Sequence, residues 1–218
     1  MNKKRLPWER HTAQTRLYGL DVPIIGITGG IASGKSAVAE ILKHHNQFVI
    51  CADQIIKKIY NKASTLDFIQ THFPAAVDFN GKINFAILRQ MAFTQPKTLE
   101  SLEAFLYPQM KEIFLAEHAA ASKHSVIFYD VPLLIEKQMH LVVDQSICVY
   151  APLCLRKERI KKRDRISDEQ IEMILKAQMP LEEKKLLCDH IIVNDQNGKE
   201  HMEKQVQELL KTLALPIP

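Results

Sequence analysis

The sequence predicts an α/β chain built on a mostly parallel sheet, and three observations predict it. Five short apolar, β-branched runs recur along the 218 residues. Helical spacing fills the intervals between them, and the first run ends in a glycine cluster that opens directly onto a helical pattern. Short runs that are apolar throughout suit strands covered on both faces, and strand–helix alternation supplies the helices that cover them.

The elements follow in order. VPIIGIT (22–28) reads as a buried strand, and KSAVAEILKHH (35–45) as a helix with Val38, Ile41 and Leu42 on one face. FVICAD (48–53) is a second strand-like run ending on an acid. SVIFYDVPLL (125–134), QSICVYAP (145–152) and DHIIVN (189–194) are the other three. Between Gln54 and Lys123 the pattern is helical, with breaks at FPAAVDFNGK (73–82) and TQPK (94–97). A crossover between parallel strands needs only a dozen or so residues. This insert is longer, with room for a wall over the strand ends, and Leu88, Phe93, Leu102 and Phe105 are expected to form its own core.

Composition sets bounds on the function. A hydrophobic fraction of 46% and a charged fraction of 25% are ordinary for a soluble domain. No apolar run approaches the roughly 20 residues of a membrane span, so no membrane partner is expected. The net charge of +4 suits an anionic ligand without calling for nucleic acid. Cys51, Cys148, Cys154 and Cys188 show no paired C-x-x-C spacing, which argues against a metal cluster and for a reduced, cytoplasmic setting. Residues 1–22 carry Lys3, Lys4, Arg5, Arg10 and Arg16 without an apolar stretch, and read as a flexible or loosely docked extension. The remainder, 23–218, is expected to be one domain with its insert at about 54–123 and a lid at about 153–180.

Residues 29–36, GGIASGKS, match G-x-x-x-x-G-K-[ST] with a strand before and a helix after. Glycines at 29, 30 and 34 let the backbone turn tightly, so that successive N–H groups converge on one anion at a helix N-terminus. Lys35 supplies a full charge facing the β- and γ-phosphates, and the Ser36 hydroxyl is placed to ligate Mg²⁺. A nucleoside triphosphate site is the reading. Asp53 ends the second run, where strand C-termini line the ligand crevice. It suits a base taking a proton from an attacking hydroxyl, a carboxylate orienting Mg²⁺ through water, or a helix N-cap. Asp130, inside the run 125–134, is expected to end another strand and reads either as a metal-side acid or as a cap or loop residue. RKERIKKRDR (156–165) holds seven basic residues in ten, with Arg156, Arg159 and Arg163 on one helical face. A solvated helix and a nucleic-acid contact are the alternatives to a lid that stabilises a transferring phosphoryl group. Beside a phosphate-binding loop, the lid is the better reading.

Taken together, the chain resembles the dephospho-CoA kinase family from about Ile24 to Gly198. The resemblance rests on TGGIASGKS (28–36), VICADQI (49–55), Leu88–Arg89 with Phe93, and LEAFLYP (102–108). It continues through DVPLLIE (130–136), RIKKRD (159–164), Ala177–Gln178 and CDHIIVNDQNG (188–198). It implies a three-layer P-loop NTPase fold with a five-stranded parallel sheet, a helical substrate-binding insert and an arginine-bearing lid. The implied reaction moves the γ-phosphate of ATP, with Mg²⁺, to the ribose 3′-hydroxyl of dephospho-CoA. The implied catalytic residues are Lys35, Asp53, Arg159 and Arg163, which favours the base reading of Asp53. ATP contacts fall to Gly30, Ala32, Ser33, Gly34, Lys35, Ser36, Ala37 and Asn194, with the loop after Asn194 near the adenine. Acceptor contacts fall to Asp53, Arg89, Tyr107, Pro132 and Leu133, and the metal ligand is Ser36. A monomer or weak homo-oligomer is expected.

Three positions depart from the family pattern. Cys51 stands where an acid is common, Tyr107 where His precedes Pro108, and Ala32 where the loop usually has glycine. Phosphate binding tolerates Ala32 if that residue needs no positive φ. Two rival classes are a nucleoside monophosphate kinase, which lacks the PLLIE stretch, and a guanine-binding switch protein. The latter uses N-K-x-D, and NDQN (194–197) lacks it.

Overall fold

All five apolar runs form strands in a computed structural model that describes residues 6–121, 124–195 and 198–216. Lys3, Lys4, Arg5, Lys123 and the loop residues Gln196 and Asn197 lie outside the described residues. The strands are β1 (Ile24–Gly29), β2 (Phe48–Cys51), β3 (Ile127–Asp130), β4 (Gln145–Tyr150) and β5 (His190–Val193). They make one sheet in the order β2-β3-β1-β4-β5, with β1 parallel to β3 and β4, and β4 parallel to β5. β1 is central, and all six of its residues are buried.

Side-chain alternation gives the sheet two different faces. Ile25 and Ile27 of β1, Phe128 of β3, Ile147 and Val149 of β4 and Ile192 of β5 pack under α1 (Lys35–His44). A helix near the C-terminus, here α9 (Gly198–Thr212), covers the same face through Met202, Val206, Leu209 and Leu210. On the opposite face Leu134 lies so close to Gly26 that a Cβ there would meet its Cδ2 at 2.7 Å. The result is the three-layer α/β arrangement.

Four of the runs continue past the last residue of the strand they form, and for two of them the cause is visible. β3 ends at Asp130, since Val131 still donates to the Ile27 carbonyl (2.8 Å) but Pro132 has no N–H to continue the ladder. β2 ends at Cys51, and Ala52 already begins α2 (Ala52–Tyr60). Asp53 therefore lies inside the first turn of a helix and is not its cap, which is Cys51.

Residues 51–121 form a compact unit distinct from the remainder. It holds α2, α3 (Ala63–His72), α4 (Phe85–Thr94) and α5 (Pro96–Ala120), with Pro96 in the first turn of α5, where its missing N–H costs nothing. Leu88 and Leu102 are buried as expected, and Phe105 stacks on Phe68 with ring centroids 3.9 Å apart. Phe93 is not a core residue: it is 73% exposed. Five residues beyond Leu88, it points well away from that residue's face of α4.

The expectation of a loosely docked N-terminal segment does not hold for the described residues from 6 onward. Arg16 and Asp144 are a buried ion pair, with Nε donating to Oδ2 at 2.6 Å. The backbone N–H groups of Arg10, His11 and Ile24 also donate to the Asp144 carboxylate at 3.0, 3.0 and 2.9 Å. Trp8 donates its indole N–H to the Leu213 carbonyl (2.8 Å), tying the segment to the far end of the chain.

Candidate active site

The glycine-rich loop leaves β1 at Gly29 and enters α1 at Lys35. Its carbonyl groups are gripped from outside. Arg156 Nε donates to the Ile31 carbonyl (2.9 Å), Arg159 to that of Ala32 (3.3 Å) and Asn194 Nδ2 to that of Ser33 (2.8 Å). The two groups of a trans peptide point opposite ways. Holding the carbonyls of Ile31 and Ser33 outward therefore turns the N–H groups of Ala32 and Gly34 to the other side, as an anion cradle requires. Gln178 adds a further tie, its Oε1 accepting from Ile31 N–H at 3.1 Å.

These contacts explain two glycines. At Gly34, with φ of 94°, a Cβ would fall 1.9 Å from Asn194 Nδ2. At Gly30 it would fall 2.6 Å from a guanidinium nitrogen of Arg156. Ala32 carries φ of 58°, so the condition that it needs no positive φ is not met. The loop holds an L-residue in the left-handed region, with strain that glycine would avoid.

Lys35 is an ion-pair partner of Asp130, the two side chains being 13% and 4% exposed. β1 and β3 bring them together, since Ile27 is in register with Asp130 and Lys35 begins the helix that β1 leads into. Asp130 thus stands opposite the loop's cation and does not cap a helix. Ser36 and Ala37 occupy the first turn of α1, with Ser36 exposed. Among the described residues no three His, Cys, Asp or Glu side chains are grouped to hold a metal ion. One hydroxyl beside a phosphate cradle still suits Mg²⁺, which keeps several waters and takes its remaining oxygens from phosphates.

The basic run forms α6 (Leu153–Asp164), followed by α7 (Asp168–Lys176). Its three face-sharing arginines part company. Arg156 is buried against the loop, although burial works to lower its guanidinium from the ordinary value. Arg159 bridges the loop to Asn194, donating to Oδ1 at 3.1 Å. Arg163 instead faces outward and pairs with its neighbour Asp164 at 2.7 Å. The structure therefore brings Gly30, Ala32, Ser33, Gly34, Arg159 and Asn194 into one assembly, with Lys35 opposite Asp130, and leaves Arg163 apart.

The expected acceptor residues fall in both compact units. Leu133 is 39% exposed, and the Pro132 carbonyl accepts from Thr28 Oγ1 at 2.9 Å. Asp53, Arg89 and Tyr107 belong to the 51–121 unit, where each is exposed on α2, α4 and α5 respectively. Sequence reasoning missed Arg156 and Gln178 as loop-holding groups. Gln178 stood in the quoted Ala177–Gln178 pair, and Arg156 on the same helical face as Arg159, but neither signal says what the side chain grips.

A family model described as dephospho-CoA kinase matches residues 23–200. This chain belongs to the dephospho-CoA kinase family. A dephospho-CoA kinase of Bartonella quintana is 34% identical over 192 residues, covering 87% of this chain and 97% of its own. Among solved structures, TT1252 from Thermus thermophilus matches with a TM-score of 0.80 at 28% identity, over 88% of this chain and 97% of that one. A dephospho-CoA kinase from Campylobacter jejuni matches with a TM-score of 0.54 at 25% identity, over 87% and 96%. Membership in the dephospho-CoA kinase family makes the chain an ATP-dependent kinase on a P-loop fold. No described helix is long and apolar enough to cross a membrane.

Proposed function

We propose that the chain transfers the γ-phosphoryl group of ATP to the ribose 3′-hydroxyl of 3′-dephospho-CoA, giving CoA and ADP. The observation that carries this is the loop at 29–36, held by Arg156, Arg159, Asn194 and Gln178 with Lys35 at its end, in a chain of this family. The backbone N–H groups of the loop, with Gly30, Ala32, Ser33, Gly34, Ser36 and Ala37, receive the phosphates, and Asn194 and the residues after it border the adenine. Lys35 leaves Asp130 for the β- and γ-phosphate oxygens, where a cation in a water-poor site lowers the barrier. Ser36 would hold Mg²⁺, which would supply charge neutralisation to the triphosphate.

Asp53 accepts the 3′-hydroxyl proton as that oxygen bonds to the γ-phosphorus and the bond to the ADP oxygen breaks. Its place in the first turn of α2 suits a carboxylate. Arg89, Tyr107, Pro132 and Leu133 contact the acceptor. Arg159 and Arg163 reach the transferring group as the lid closes, which for Arg163 requires release of Asp164 and a turn inward from its outward position. The enzyme works in the cytoplasm as a monomer or weak homo-oligomer. Phosphorus NMR of the product formed from ATP, Mg²⁺ and dephospho-CoA tests the reaction: a new 3′-phosphomonoester is expected, and ADP release without it would overturn the assignment.

A further inference from the structure

Lys184 is fully buried on α8 (Leu181–Leu186), in a protein where most lysines reach water. A buried ammonium is costly unless paired and hydrogen-bonded. Here its Nζ lies 2.8 Å from Glu136 Oε1 and donates to the Pro132 carbonyl at 3.1 Å. That carbonyl is the one that also accepts from Thr28 of β1. Two donors from two elements thus fix a single peptide two residues after Asp130, the partner of Lys35. The same short segment begins with Gln178 on the Ile31 N–H, so residues 178–184 tie the phosphate loop to the turn that follows β3.

We propose that Lys184 is a positioning residue for phosphoryl transfer, acting through the Pro132 carbonyl on the Asp130–Leu133 turn. It touches neither substrate in this scheme. It sets where Asp130 meets Lys35 and where Pro132 and Leu133 meet the acceptor, and so rests on the reading of the chain as this kinase. An apolar side chain of similar length fills the same volume but leaves the Pro132 carbonyl with one donor, so the turn loses its register while the core stays filled. The adjacent Lys185 shows the contrast: it is partly exposed and pairs with Glu182 at 2.5 Å.

The test compares the parent with Lys184→Met and Lys184→Arg, measuring kcat, KM for ATP, KM for dephospho-CoA and melting temperature. Lys184→Met is expected to lower kcat about tenfold or more with KM for ATP within about threefold. Lys184→Arg, which keeps charge and donors, is expected to recover most of that turnover. If Lys184→Met does not fold, Lys184→Met/Glu136→Gln, which leaves no unpaired buried charge, takes its place with the same expectation. Turnover within twofold of the parent in a folded Met variant would overturn the inference alone, as would an Arg variant that restores melting but not kcat. A parent inactive on dephospho-CoA would overturn the functional reading and this inference with it.

Discussion

At Lys35 a full positive charge ends a loop otherwise made of backbone dipoles, and it faces Asp130 without filling the core. Lys35→Ala is therefore expected to fold while losing transition-state stabilisation of about 3–4 kcal/mol, or 10²–10³ in kcat. Steady-state turnover with melting curves checks it, and near-parental turnover would remove the loop from the mechanism. Ala32 supports a second expectation. A left-handed L-residue carries about 1–2 kcal/mol of strain, offset by the roughly 0.4–1 kcal/mol by which glycine favours the unfolded chain. Ala32→Gly should be stabilising by up to about 1 kcal/mol in chemical denaturation, and a clear loss of stability would mean that the strain is relieved elsewhere. The loop was legible in the sequence as a candidate phosphate site because glycines, one lysine and a hydroxyl at fixed spacing have a chemical reason to be together. The grip of Arg156 on Ile31 was not legible, because it depends on where α6 crosses the loop.

The helical elements show the same division. Strand identities followed from apolar runs, but strand ends depended on single events: the missing N–H at Pro132 and the early start of α2 at Ala52. Phe93 was misassigned because its aromatic character was weighed above its angular position on α4. Within α6, Arg159 bonds to Ala32 and Asn194 while Arg163 pairs only locally among the contacts described, so the two arginines are separable. Arg159→Ala is expected to lower kcat about tenfold or more and to raise KM for ATP, since it holds the loop and, as we propose, also faces the phosphates. Arg163→Ala should lower kcat with the melting temperature within about 3 °C, because an exposed, solvent-screened pair contributes little to stability. Unchanged kinetics in Arg163→Ala would take that residue out of the catalytic set.

Over the whole molecule, the N-terminal segment holds chain ends and sheet together through a buried charge, which a run of scattered basic residues does not reveal. Burial works to raise the Asp144 carboxyl, but Arg16 and the N–H groups of His11 and Ile24 outweigh it and hold the carboxyl below its ordinary 3.8. Its contribution is complete above that ordinary value and is lost as pH falls through the lower folded-state value. Melting measured from pH 7 to pH 3 should show the parent losing stability at the acid end. Arg16→Met, which leaves Asp144 buried without its cation, should be about 3–5 kcal/mol less stable at neutral pH. An Arg16→Met protein as stable as the parent at pH 7 would show the pair to be dispensable. We propose that the chain selects dephospho-CoA over a smaller nucleotide acceptor. The most direct measurement is kcat/KM for dephospho-CoA, AMP and adenosine at fixed ATP and Mg²⁺. Dephospho-CoA is expected to be preferred by at least about 10²-fold, or roughly 2.7 kcal/mol of transition-state discrimination, and AMP matching or beating it would contradict the assignment.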